Sequence, residues 1–258
     1  MFDIRQTDLQ RLNTLTKYPS IPTYHTLDPK NGGLLPETVC FDGDVVATEK
    51  IDGTNARLIC LPDGSYVLGS REELLYARGD LIGNPALGIV EAFKPLAESL
   101  AHPVSPSAIT VFYAEVYGGK VTGASKQYTG NLAVGFRLFD VVVIDDWAER
   151  LAQDARDISA WRDAGGQRFL DEMALAQAAA TAGFALTPRV ATLPADALPT
   201  GIEAMHEFLK TTLPATLSAL DDDAGRRPEG FVLRTADRRV IAKARFDDYE
   251  RTAKRRKA

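Results

Sequence analysis

The sequence predicts an α+β fold, and three observations point to it. Strand-like runs come in blocks, at residues 45–70, 109–144 and 230–244, with helical runs between the blocks rather than after every strand. Turn residues join neighbouring β-rich runs as hairpins. The composition, 45% hydrophobic and 25% charged over 258 residues, is that of an ordinary globular chain. Such a length buries a core without staples, as one large domain or two small ones.

The elements follow in order. Leu9, Leu12 and Leu15 recur at helical spacing and predict a helix over 8–18. A loop runs through Pro29-Lys30-Asn31-Gly32-Gly33. Strands are predicted over 45–51 and 54–61. A Pro62-Asp63-Gly64-Ser65 turn leads to a third over 66–70. A helix over 86–100 precedes strands over 109–117 and 132–144. The alanine-rich run 167–182 reads as a helix, and 202–220 as one or two more. Strands over 230–235 and 239–244 flank a polar turn. Residues 145–168 are the most plausible variable insert, within a helical region of about 145–225, and 221–227 reads as a surface loop. No internal repeat or low-complexity tract is present.

Several classes drop out. No run of about 18 apolar residues occurs, so no membrane span is expected. The start, MFDIRQTDLQ, lacks a signal-peptide apolar stretch. Cys40 and Cys60 are too few for a disulfide framework or zinc cage and read as reduced thiols, which points to the cytoplasm. A formal charge of −5 gives no global basic field for nucleic acid, although a local basic groove is compatible with it. His25, His102 and His206 are scattered and suggest no histidine centre, though His25 lies in the early loop where it could touch a ligand.

Four short segments carry chemistry. In Thr48-Glu49-Lys50-Ile51-Asp52-Gly53-Thr54-Asn55, a lysine ends one strand and a tight Asp-Gly turn opens the next. A lysine amine becomes a nucleophile when burial or a neighbouring cation lowers its pKa from about 10.4. The alternative is a salt-bridged hairpin lysine. Glu115 lies on an apolar strand before Gly118-Gly119, and Glu229 at the mouth of another. Such carboxylates suit magnesium held with phosphates and waters, or strand-edge pairing with Lys or Arg. Lys243 and Arg245 stand at i and i+2, on one face of a strand, where they would clamp phosphates or face solvent.

Lys50-Ile51-Asp52-Gly53-Thr54-Asn55, Glu115-Val116-Tyr117-Gly118, Phe136-Arg137-Leu138-Phe139-Asp140, Pro228-Glu229-Gly230-Phe231-Val232 and Lys243-Ala244-Arg245 occur in that order. Together they resemble the covalent nucleotidyltransferase superfamily of RNA ligases, DNA ligases and mRNA-capping enzymes. The form around Lys50 is most similar to ATP-dependent RNA ligases of the RNA ligase 2 type. The resemblance extends over about three quarters of the chain.

It implies a nucleotidyltransferase domain over 1–245, with mostly antiparallel sheets forming an ATP groove and helices outside. It also implies roles. Lys50 would attack the α-phosphorus of ATP and carry AMP. Asn55 and Arg71 would contact ribose or phosphate. Glu115 would grip ribose or metal, and Phe139 would stack on adenine, with Phe136 on the opposite face as the alternative. Glu229 would bind metal or position the second step, while Lys243 and Arg245 neutralise the triphosphate. Glu49 would meet the base through its backbone. Asp52 would pair with Lys50 or simply make the turn. Mg²⁺ or Mn²⁺ would be required. The partner would be RNA with 5′-phosphate and 3′-hydroxyl ends.

Two departures from that pattern stand out. Such ligases usually show Lys-x-Lys where this chain has Lys243-Ala244-Arg245, and arginine changes the donor geometry. Residues 246–258 leave only a basic tail, either a phosphate contact or a solvated helix end, where many ligases carry a further domain. A protein partner replacing that domain is left open. Tyr113, Tyr117 and Tyr128 read as packing residues more readily than as RNA-stacking platforms. The rival readings are a DNA ligase, a GTP-using capping enzyme, and a nucleotide- or RNA-binding module without catalysis.

Overall fold

The computed structural model describes residues 2–77, 80–83, 88–100 and 104–257. The predicted helix start at Ala86 and Leu87, and His102, lie outside them. The helices are α1 (Leu9–Leu15), α2 (Ile89–Ser99), α3 (Trp147–Ala152), α4 (Ala155–Asp163), α5 (Glu172–Ala182), α6 (Ile202–Thr212) and α7 (Phe246–Lys257). The strands are β1 (His25–Leu27), β2 (Leu34–Thr38), β3 (Asp44–Lys50), β4 (Thr54–Cys60), β5 (Tyr66–Ser70) and β6 (Leu74–Ala77). They continue as β7 (Asp80–Leu81), β8 (Ile109–Gly118), β9 (Val134–Ile144), β10 (Arg189–Pro194), β11 (Gly230–Thr235) and β12 (Ile241–Arg245). The named strands pair antiparallel throughout, in the α+β class the sequence predicts.

The chain divides into two compact units. The first comprises Met1–Pro19, Gly53–Thr122 and Val134–Leu186. Its six-stranded sheet has the order β7-β6-β5-β4-β8-β9. The interior strand β8 is an almost unbroken apolar run because both faces of the sheet are covered. Phe93 of α2 and Leu175 and Ala179 of α5 pack with Leu58, Phe112, Ala114 and Leu138 on one face. Leu12 and Leu15 of α1 and Ile158 of α4 pack with Ile59, Val111, Tyr113 and Val142 on the other. Asp8, Asp154 and Asp171 cap α1, α4 and α5 by accepting from backbone N–H groups of the first turn. The helix predicted over 167–182 therefore starts only at Glu172. Before it, Phe169 and Leu170 bond to β9.

The second unit comprises Ser20–Asp52, Gly123–Ala133 and Thr187–Ala258. Its main sheet has the order β10-β3-β11-β12, with β1 and β2 forming a separate ribbon. Strand alternation sorts the side chains. Ala47, Phe231, Leu233, Ala242 and Ala244 face a core completed by Met205 and Leu209 of α6 and Phe246 and Tyr249 of α7. Thr48, Lys50, Gly230, Val232, Lys243 and Arg245 share the other face. Only one helix forms over 202–220, because Pro214 follows its end. The basic C-terminal segment is helical, with Phe246, Tyr249 and Thr252 buried. His25 is buried too, bonded through Nδ1 to the Tyr249 hydroxyl at 2.8 Å and through Nε2 to the Thr200 carbonyl at 2.9 Å. It is a core histidine and not a ligand-facing one.

Candidate active site

The second unit assembles the charged row. Lys50 is the last residue of β3, facing Gly230 of β11, which in turn faces Arg245 of β12. Thr48, Val232 and Lys243 form the next row on the same face. Lys50 Nζ donates to Glu229 Oε2 at 2.6 Å, and the two side chains are 24% and 16% exposed. Burial raises the Glu229 carboxyl above the ordinary carboxylate range, against the opposing pull of Lys50 and with a smaller push from Asp52. The Phe246 N–H donates to the Glu229 carbonyl and fixes its backbone.

Gly230 is dictated by space. A Cβ there would lie 2.0 Å from the Ala244 carbonyl oxygen, and its φ of +151° disfavours other residues. Lys243 is pinned through its backbone to Pro22 and Tyr24. Arg245 is gripped by the buried Asp248, which accepts from Nε at 2.8 Å and from Nη2 at 3.0 Å. That carboxylate holds the guanidinium charged and also accepts from Arg251.

Two roles escape the sequence. Glu49 points to the core face, where its carboxylate accepts from the Thr216 hydroxyl, the Leu217 N–H and the Ser218 hydroxyl. It anchors residues 216–218 through its side chain. Tyr128 is buried, as the packing reading expects, yet its hydroxyl accepts the Asp52 N–H at 2.7 Å and fixes the turn after Lys50. Burial, with carboxylates at Glu49, Glu229 and Asp52 adding to it, keeps that phenol protonated. Asp221 holds the Tyr128 segment in place by accepting from Thr129 and Gly130.

The first unit carries the other predicted residues. Asn55, Glu115 and Arg137 lie side by side across β4, β8 and β9. Glu115 Oε1 accepts the Gly53 N–H at 3.1 Å. Gly53 is also a spatial requirement, since a Cβ there would lie 2.2 Å from the Val116 carbonyl oxygen. Asn55 Oδ1 is buried without a hydrogen-bond partner among the described residues. Arg71 lies one residue beyond β5, exposed and close to Glu72.

A bulge interrupts β9 at the second of the two phenylalanines. Tyr113 faces Asp140 while Ala114 faces Leu138, so Phe139 is the extra residue. Its ring packs 5.0 Å from Tyr18 and 6.4 Å from Tyr113, on the Glu115 face. Phe136 packs with Phe93 and Phe184 on the opposite, helix-covered face. Arg57 is a further residue the sequence does not flag. Fully buried, it donates to the carbonyls of Asn13 and Ser70 and to the Thr16 hydroxyl, and burial lowers its pKa to about 10.

Among the described residues, no three His, Cys, Asp or Glu side chains converge as a metal site. Magnesium bound largely through phosphates and waters needs only one or two carboxylates, and Glu115 and Glu229 are partly exposed carboxylates of that kind. No helix among the described residues is long and apolar enough to cross a membrane.

The family model for RNA ligase matches residues 43–254, from the start of the Lys50 strand past Arg245 into α7. The chain belongs to the RNA ligase family. Solved structures of that name share its fold. An archaeal ATP-dependent RNA ligase matches at 17% identity and a TM-score of 0.54, over 90% of this chain and 49% of that one. A Naegleria gruberi RNA ligase variant with AMP and Mn matches at 15% identity and a TM-score of 0.51, over 93% and 59%. Another variant of the Naegleria enzyme, with ATP and Mn, matches at 14% and 0.51, over 82% and 52%. The chain thus spans about half the length of these RNA ligases. No curated protein matches the chain.

Proposed function

We propose that the chain is an ATP-dependent RNA ligase that acts through a lysyl-AMP intermediate at Lys50. The observation that carries the reading is the 2.6 Å contact of Lys50 with Glu229, on the sheet face that also presents Lys243 and Arg245. A nucleophile at a strand end, a carboxylate beside it and two cations on the neighbouring strand are the parts that nucleotidyl transfer to an amine requires.

In this reading Lys50 gives up a proton and attacks the α-phosphorus of ATP. A nitrogen–phosphorus bond forms, the bond to the departing pyrophosphate breaks, and a second proton leaves the nitrogen. Glu229, whose carboxyl is raised by burial, is the adjacent proton acceptor. Lys243 and Arg245 neutralise the triphosphate as pyrophosphate departs. Asn55, Arg71 and Glu115 hold ribose and phosphate, and Phe139 offers a ring to the adenine. Mg²⁺ or Mn²⁺, brought with the nucleotide and held by Glu115 or Glu229, would supply charge neutralisation. AMP then passes to a 5′-phosphate end, and a 3′-hydroxyl displaces it to close the phosphodiester. RNA repair in the cytoplasm is the setting this reading favours.

The test is sealing itself. RNA bearing 5′-phosphate and 3′-hydroxyl ends is incubated with ATP and Mg²⁺. The wild type joins the ends, and Lys50→Ala does not. Equal joining by both would rule the mechanism out.

A further inference from the structure

Arg137 stands in the middle of β9, directly opposite Glu115, yet the two form no ion pair. Glu115 Oε1 accepts the Gly53 N–H instead. Arg137 is partly buried, and among the described residues its guanidinium makes no hydrogen bond or ion pair. Other arginines of the same unit that are at least partly buried are tied down. Arg57 is held by Asn13, Thr16 and Ser70, Arg150 by Asp146, and Arg162 by Thr14 and Ser159. Holding a long cationic side chain partly out of water without a partner does not help the chain to fold.

The second observation lies across the same row. Asn55 Oδ1, on the other side of Glu115, is a buried acceptor with no donor among the described residues. One unmatched cation and one unmatched acceptor flank a carboxylate, on the face that also holds Phe139. This is the complement of a ligand that carries both an anionic group and a hydroxyl. The planar guanidinium fork matches phosphate oxygens in pairs. A phosphorylated ribose has both groups.

We infer that Arg137 is a phosphate-recognition residue, taking a phosphate of a nucleotide or of an RNA end while Asn55 accepts from a ribose hydroxyl. The assignment rests on the ligase reading above for the class of ligand. Two sources of the phosphate are separable by experiment.

Binding is measured in a Lys50→Ala parent, which carries no covalent AMP, and in the same parent with Arg137→Gln or Arg137→Lys. The probes are ATP against adenosine, and 5′-phosphorylated against 5′-hydroxyl RNA. Arg137→Gln is expected to lose about tenfold in affinity for one phosphorylated probe and nothing for its unphosphorylated twin, and Arg137→Lys to recover part of the loss. Loss on ATP assigns the phosphate to the nucleotide, and loss on RNA to the strand end. The inference is overturned if both phosphorylated probes bind Arg137→Gln as tightly as the parent. It is also overturned if both members of a pair weaken equally, or if the parent does not prefer the phosphorylated member of either pair. Lysyl-AMP formation by wild type is read in parallel. Its absence beside Arg137-dependent phosphate binding would remove the ligase mechanism alone, and its presence beside Arg137-independent binding would remove the Arg137 assignment alone.

Discussion

Lys50 and Glu229 are joined by a 2.6 Å contact at the ends of neighbouring strands, 179 residues apart in the chain. The pair holds the amine at one point on the sheet face with a carboxylate next to it. Glu229→Gln preserves size and removes the charge. It is expected to slow lysyl-AMP formation by about 100-fold or more, and to leave secondary structure intact by circular dichroism. A rate within threefold of wild type would show that Glu229 does not act on the first step.

Tyr128 acts on the same turn through backbone. Tyr128→Phe leaves the partly buried Asp52 N–H without this acceptor, a cost of about 1–3 kcal/mol. The expected result is slower lysyl-AMP formation with little change in the ATP concentration that half-saturates it. A change in half-saturation alone would place Tyr128 in nucleotide binding instead.

Gly53 and Gly230 are fixed by close backbone approach. Gly53→Ala pushes a methyl group against the Val116 carbonyl, and Gly230→Ala does the same against Ala244. Each is expected to destabilise its unit by about 1–3 kcal/mol or more, read as a lower urea midpoint. An unchanged midpoint for either would contradict the geometry at that turn.

Acid should loosen the second unit. Burial lowers the pKa of His25 and of His206, with Lys210 adding to the effect at His206. Below about pH 6.5 the unfolded chain takes up protons that the folded one resists, so stability falls as pH falls through that range. His25 Nδ1 accepts from Tyr249 if Nε2 donates to the Thr200 carbonyl, and protonation would remove that acceptor. Urea midpoints at pH 7.5 and pH 5 are expected to differ, and His25→Gln to flatten the difference. A midpoint that rises on acidification would run against the burial of these rings.

Much of the charged row was legible because a strand repeats every second residue. Lys243 and Arg245 had to share a face, and Lys50 and Glu229 sat at the ends of apolar runs that pair with it. Phe139 and Phe136 lie on opposite faces of β9 as alternation expects, but the bulge opposite Tyr113 and Ala114 is encoded by no periodicity. Tyr128 was legible only as a packing residue, since its hydroxyl bonds to backbone 76 positions away. Glu49 read as a backbone contact because the segment that claims its carboxylate, 216–218, has no regular structure and no pattern. The short strands β1, β2 and β10 lie in proline-bearing stretches, where strand signals are weak.

The most direct test is the mass of the protein after incubation with ATP and Mg²⁺, following removal of any AMP already attached, with the modified peptide then sequenced. The expected result is a gain of one AMP per chain, located on Lys50 and absent from Lys50→Ala. No gain with ATP, or AMP on any other residue, would contradict it.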